Sequence, residues 1–148
     1  MDFEEYFEPV SEDLIKGIKH PDQNQIAFKL VPTKEFFGAD KIMVDIALIG
    51  VPEDRGAVDN KGCAESVKDI RKSLYSLFDH NHIKVVDLGD LKPGHTIQDT
   101  YLALSSVVNA LMIQNIVPII IGGSNDLTYA NFMAYQALDI VVNFVSVD

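Results

Sequence analysis

From Met43 to Val51 nearly every position is apolar, and Pro52 ends the run. A continuous apolar stretch of this length predicts a strand covered on both faces rather than one half-exposed to water. Ala64, Val67, Ile70, Leu74, Leu77 and Phe78 then recur at three- and four-residue steps, which predicts a helix with one buried stripe. Ile83–Leu88 reads as a second strand, closed by Gly89-Asp90. Ile97, Tyr101, Leu104, Val108 and Leu111 give a second helical stripe, and Ile116–Ile121 a third strand. Asp126–Ala137 predicts a third helix and Ile140–Val147 a fourth strand. Strands separated by helices of this length join through right-handed crossovers. The predicted fold is therefore α/β, a three-layer α/β/α sandwich with a mainly parallel sheet and helices on both faces.

Before Lys41 the periodicity is weak, and Pro9, Pro21, Pro32 and Gly38 punctuate it. Phe3, Tyr6, Phe7 and Val10 predict one helical apolar face, and Ile26, Phe28 and Leu30 alternate like a short strand or extended arm. The chain thus divides into an N-terminal arm or helical extension, residues 1–40, and an α/β part, residues 41–148. The last predicted strand stops at Asp148 with no helix after it, whereas parallel strands ordinarily lead into another crossover. That ending predicts the N-terminal piece of a longer protein.

The charge balance narrows the partners. With 12 basic against 22 acidic residues and a net charge of −10, the chain lacks the clustered cations that nucleic acid or an anionic membrane requires. The acidic N-terminus and the absence of a long apolar run predict neither a signal peptide nor a membrane span. Cys63 is the single cysteine, so no intramolecular disulfide forms, as suits a reducing cytoplasm. Four histidines and one cysteine show no zinc-type spacing.

The loops after the strands should all open on one edge of a parallel sheet, where such folds place their chemistry. They are Gly50-Val51-Pro52-Glu53-Asp54-Arg55-Gly56, Asp87-Leu88-Gly89-Asp90 and Gly122-Gly123-Ser124-Asn125-Asp126. Glu53, Asp54 and Arg55 either face a polar substrate or pair with one another. Ser124, Asn125 and Asp126 either cap the next helix, as these residue types do well, or face the crevice. Asp87 and Asp90 read as acceptors that fix backbone N–H groups, with contact to substrate as the alternative. Cys63 reads as a small residue packed at the start of the first long helix, and His95 as a loop or cap residue. His80 and His82, flanking Asn81, lack the third ligand a metal site needs. The first strand–helix loop has neither G-x-G-x-x-G nor the phosphate-loop pattern, which argues against a generic nucleotide-binding domain.

Taken in order, these pieces resemble the arginase, agmatinase and formimidoylglutamase family, the ureohydrolases. Gly50-Val51-Pro52-Glu53-Asp54-Arg55-Gly56 is similar to that family's first strand end, Gly62-Cys63-Ala64 to its following loop, and Ile70-Arg71-Lys72 to its helical Ile-Arg pair. Asp87-Leu88-Gly89-Asp90 matches an Asp-x-Gly-Asp strand end, and Pro118–Asn125 the run Pro-x-x-x-Gly-Gly-Asp-His. Val147-Asp148 reaches the first residue of Asp-Ala-His-x-Asp and stops. The resemblance covers residues 43–148 and implies the N-terminal part of an arginase-like fold.

It also implies a chemistry: hydrolysis of a guanidine or linear amidine carbon–nitrogen bond at two manganese ions sharing a bridging hydroxide. Of the family's ligand positions, two fall in this chain, at Asn125 and Asp148. Asn125 stands where the family has histidine and Ser124 where it has aspartate; a neutral amide oxygen is a poor ligand for a transition ion. Asp126 offers a carboxylate one residue on. An altered dinuclear site, a mononuclear site and a metal-free relative all remain open. The expected function is the N-terminal fragment of a ureohydrolase-like enzyme, formimidoylglutamase type preferred and inactive by itself, acting on a small amidine or guanidine. The alternative is a non-catalytic relative serving in interaction or assembly. In the family sheet, later strands lie between the third and fourth strands named above. The fourth strand is therefore expected either to be displaced or to pair with another copy, giving a homo-oligomer.

Overall fold

The computed structural model describes residues 3–39, 42–79, 83–139 and 141–145. Among the described residues four strands form one sheet, in the order β1-β3-β2-β4. They are β1 (Phe7–Glu8), β2 (Ile46–Val51), β3 (Val85–Leu91) and β4 (Val117–Gly122). Five α-helices among the described residues accompany them: α1 (Glu12–Lys16), α2 (Thr33–Phe37), α3 (Ser66–Tyr75), α4 (Ile97–Ile113) and α5 (Leu127–Ala137). β2 is central and parallel to both β3 and β4, while β1 adds an antiparallel edge through Phe7 and Leu91. The mainly parallel α/β sandwich expected from the pattern is what forms.

The unbroken apolar run of β2 follows from its position, since both its faces are covered. Ala47, Ile49 and Val51 join Val86 and Leu88 against Leu104, Val107, Val108 and Leu111 of α4 and Leu127, Ala130 and Ala134 of α5. Leu48 points the other way, with Tyr75 of α3 and Leu14 of α1. α4 starts at a capping box: Thr96 Oγ1 accepts from Asp99 N, and the Asp99 carboxylate accepts from Thr96 N.

Four expectations are corrected. Phe3, Tyr6, Phe7 and Val10 do not line a helix; residues 4–6 form a 3-10 turn and Phe7 enters β1. Pairing with β3 takes the backbone that a helix would have used, and Phe3 and Phe7 still reach the main core. Residues 26–28 form a 3-10 turn rather than a strand, and the bridges at Gln25 and Val31 are isolated ones that do not extend into a ladder. α3 buries Val67, Arg71 and Tyr75, while Ile70, Leu77 and Phe78 are exposed. A hydrogen-bonded arginine takes the inner face there, as set out below. Lastly, residues 141–145 form no strand and are mostly exposed. No described strand lies beside them to complete their backbone hydrogen bonds; the rest of the expected strand, with Asp148, lies outside the described residues, as do His80 and His82.

β3 runs past Gly89 to Leu91 through a bulge, since Leu48 pairs with Asp87 but Gly50 pairs with Asp90. Gly89 supplies the positive φ (95°) that the extra residue requires, and a Cβ there would sit 2.1 Å from the Glu8 carbonyl oxygen.

Candidate functional site

Because β2, β3 and β4 run parallel, their three C-terminal loops open on one edge, with β2 in the middle. Two of the loops clasp. Ser124 N and Oγ both donate to the Glu53 carbonyl oxygen, at 3.0 and 3.2 Å. Gly123 permits this approach: a Cβ there would lie 2.0 Å from the same oxygen.

The Glu53 side chain turns inward and is 3 % exposed. Arg55 holds it with a forked pair of bonds, Nε to Oε1 at 2.9 Å and Nη2 to Oε2, and Arg55 N donates to Oε1 at 2.9 Å. The Thr100 hydroxyl donates to Glu53 Oε2 and accepts from Gly94 N and Arg55 Nη2. Arg55 also donates to the Gly94 and His95 carbonyl oxygens, so this cluster braces the β2 loop against the start of α4. Hydrogen bonding from Arg55 holds the Glu53 carboxyl below its ordinary value of 4.5, against the opposing effect of burial. A lowered folded-state pKa means that the unfolded chain binds the proton more readily. Glu53 therefore contributes stability at pH values above about 4.5, and loses it as pH falls through the lower folded value. Glu53→Gln is expected to cost about 2 kcal/mol at neutral pH. Its stability should also fall less steeply than wild type below pH ~4.5. Urea unfolding of both proteins across pH 3–7 checks the sign; parallel curves would remove Glu53 from the acid response.

A second polar cluster supports the β3 end. Arg71 is 2 % exposed, and its Nε donates to Asp87 Oδ2 at 2.8 Å, Nη1 to Asp90 Oδ1 at 2.7 Å and Nη2 to the Gly89 carbonyl oxygen at 3.2 Å. The Tyr75 hydroxyl donates to Asp87 Oδ2 at 2.7 Å, and Gly89 N to Asp87 Oδ1 at 2.9 Å. Burial, then the Asp87 charge, pushes the Tyr75 phenol well above its ordinary value and keeps it a donor. The sequence reading of Asp87 as a backbone acceptor holds for Gly89; it missed the larger partner, Arg71. The available signal was spacing, because Val67, Arg71 and Tyr75 are four apart and Asp87 alternates with Val86 and Leu88.

The β4 loop presents its polar residues differently from helix caps. α5 has no side-chain cap bond. Asn125 is exposed, Ser124 is buried on Glu53, and Asp126 accepts a close hydrogen bond from the Tyr101 hydroxyl of α4. Burial and this bond raise the Tyr101 phenol to about 12. Asp126 Oδ1 is buried with no hydrogen-bond partner, and its carboxylate lies over Gly56, where a Cβ would come within 2.3 Å. Tyr101 was read from the sequence only as part of an apolar stripe; its half-buried position leaves the hydroxyl free to reach Asp126. A cavity of about 460 Å³ separates the two loops, lined by Gly56, Asp59, Asn60, Ser124, Asn125 and Asp126. Asp54 does not line this cavity; it accepts from Gly62 N at 2.6 Å, where Gly62 takes a positive φ ahead of Cys63.

Among the described residues no three His, Cys, Asp or Glu side chains converge as a metal group would require. Asn125 and Asp126 are neighbours at the crevice, but one amide and one carboxylate do not complete a manganese site. Asp148 lies outside the described residues.

The Arginase family model matches residues 44–148. A formimidoylglutamase of Halobacterium salinarum is 32% identical over 111 residues, covering 70% of this chain and 36% of the relative. One from Streptococcus gordonii is 30% identical over 100 residues, covering 64% and 30%. The solved structure of Trypanosoma cruzi formiminoglutamase with manganese superposes with a TM-score of 0.64 at 26% identity, over 78% of this chain and 41% of that one. The chain spans about a third of the length of the curated relatives it matches.

Proposed function

Because this chain belongs to the arginase family, we infer that it supplies the N-terminal part of a hydrolase cleaving the carbon–nitrogen bond of a linear amidine, of formimidoylglutamase type. The observation that carries this reading is the clasp of Gly123 and Ser124 on Glu53. It sets the β4 loop, in place of the family's Gly-Gly-Asp-His, beside the β2 loop around one polar crevice. The relatives named above support the substrate class.

In this reading Asn125, Asp126 and Asp148 are the positions that face metal, and Glu53, Asp54, Arg55 and Ser124 shape the loops that face substrate. Manganese, when bound, would supply Lewis-acid activation of the attacking water. The residues of this chain contribute position: Arg55 and Thr100 hold Glu53, Glu53 holds Ser124, and Tyr101 fixes the Asp126 carboxylate. With only these ligand positions, residues 1–148 alone do not turn over. We place the protein in the cytoplasm and read it as self-associating; among the described residues no helix is long and apolar enough to cross a membrane.

A second reading, a non-catalytic arginase-fold module, is favoured by one observation, the exposed Asn125 at the position of the family's histidine. Formamide release from N-formimidoyl-glutamate separates the two. The purified 148-residue chain with manganese is expected to release none, and manganese-dependent release would overturn the inactivity of the chain alone. A longer chain carrying Asp-Ala-His-x-Asp and Asp-x-Asp should release it if the hydrolase reading holds, and a folded longer chain that does not would favour the module.

A further inference from the structure

Both loops of the crevice are held from one place, the first turn of α4. Thr100 and Tyr101 are consecutive there, so their side chains leave the helix about 100° apart. Each reaches a different loop. The Thr100 hydroxyl donates to Glu53 Oε2 in the β2 loop, at 3.2 Å, and the Tyr101 hydroxyl donates to Asp126 Oδ2 in the β4 loop.

The Thr100 hydroxyl is fully used. It carries one proton and two lone pairs. The proton goes to Glu53, and the lone pairs accept from Gly94 N at 2.9 Å and Arg55 Nη2 at 3.1 Å. Thr100 is 1 % exposed, so these partners are not exchanged for water. The turn that carries it is itself fixed. Thr96 and Asp99 cap it, and a Cβ on Gly94 would lie 2.4 Å from Asp99 Cβ and 2.8 Å from Thr100 N, so the segment before α4 packs directly on it.

Tyr101 does the corresponding work on the other loop. Asp126 Oδ1 is buried without a hydrogen-bond partner, so among the described residues the Tyr101 phenol is the one donor to this carboxylate. An unpaired buried acceptor opposes that placement. Tyr101 offsets it, and the carboxylate stays on Gly56 of the β2 loop. Through Asp126, Tyr101 holds the β4 loop against Gly56. Through Glu53, Thr100 holds the residue on which Ser124 clasps.

We propose that the first turn of α4 sets the spacing of the two loops, with Thr100 and Tyr101 as positioning residues for the substrate that the crevice takes. Neither side chain lines the cavity; each acts through a loop residue. A displacement of about 1 Å at a reacting group is costly, so side chains that never touch the ligand govern its fit. The proposal rests on the reading of this crevice as a substrate site, but its test uses no turnover. A failed test leaves the hydrolase reading standing, and a missing activity leaves the spacing standing.

Electron paramagnetic resonance on the 148-residue chain measures that spacing. Val58→Cys in the β2 loop and Thr128→Cys just after the β4 loop, both exposed, carry nitroxide labels in a Cys63→Ala background. The parent is expected to give one narrow distance distribution. Tyr101→Phe and Thr100→Val should each lengthen and broaden it, and Thr100→Ser, which keeps the hydroxyl, should leave it as in the parent. A loss of global stability alone lowers the unfolding midpoint without moving the distance in the folded chain. Tyr101→Phe removes one oxygen from a half-buried ring and keeps its packing, so it is expected to fold, which circular dichroism checks. An unchanged distribution in folded Tyr101→Phe is enough to overturn the proposal. So is an unchanged distribution in folded Thr100→Val, or a Thr100→Ser shift as large as that of Thr100→Val.

Discussion

Arg71→Met is expected to destabilise the chain by about 3–5 kcal/mol, a large part of the stability of a domain this size. The loss comes mainly from what is left behind. Asp87 is buried, and without the guanidinium it keeps, among the described residues, the Tyr75 hydroxyl and Gly89 N as donors. An unpaired buried carboxylate must stay charged at high cost or take up a proton. Gly50 completes the cluster: a Cβ there would lie 2.0 Å from Asp90 Oδ1 and 2.6 Å from Arg71 Nη2. Urea unfolding measures the loss. Adding Asp87→Leu to Arg71→Met should recover part of it, because the orphaned charge is removed with its partner. If Arg71→Met costs less than about 1 kcal/mol, the cluster is not the support of the β3 end that the geometry implies.

Gly123→Ala is expected to cost about 3 kcal/mol, at the upper end of ordinary overpacking. The atoms that a new Cβ meets are backbone: Glu53 O at 2.0 Å, C at 2.9 Å and N at 3.1 Å. No side chain can swing aside, so the loops must part and both Ser124 bonds to Glu53 are lost. Gly122→Ala is the control. Its nearest atom is Leu127 Cδ1 at 3.2 Å, the end of a flexible side chain, and its cost should stay below about 1 kcal/mol. Unfolding midpoints of the two variants, compared with hydrogen exchange at Ser124, separate loop opening from general damage. Equal costs at the two glycines would remove the clasp as the organiser of the crevice.

The central strands were legible because burial on both faces leaves an apolar run that no polar residue interrupts, as Ile46–Val51 shows. α4 was legible through Leu104, Val108 and Leu111, which lie where helical spacing puts them. Failures came where polar pairing replaces apolar packing. In α3 an arginine takes the inner stripe, and an apolar periodicity search assigns that face to Ile70 instead. The N-terminal segment misled for another reason: Phe7 belongs to an edge strand whose partner is about eighty residues away, and no local pattern encodes that pairing. At the site, the motif residues were legible as a set, but their partners were not. Glu53 and Arg55 could be paired on paper; the Thr100 hydroxyl that completes the pair, and the Tyr101 hydroxyl on Asp126, come from a helix that spacing marks as structural.

The most direct measurement is formamide release from N-formimidoyl-glutamate, with manganese, by two proteins side by side. One is the 148-residue chain, and the other is the same chain continued past Asp148 with the matching remainder of the Trypanosoma cruzi enzyme. The expected result is manganese-dependent release by the extended chain, abolished by a chelator, and none by the 148 residues alone. Release by the short chain, or a folded extended chain that releases nothing with manganese present, would contradict the assignment of these residues as the N-terminal part of an amidine hydrolase.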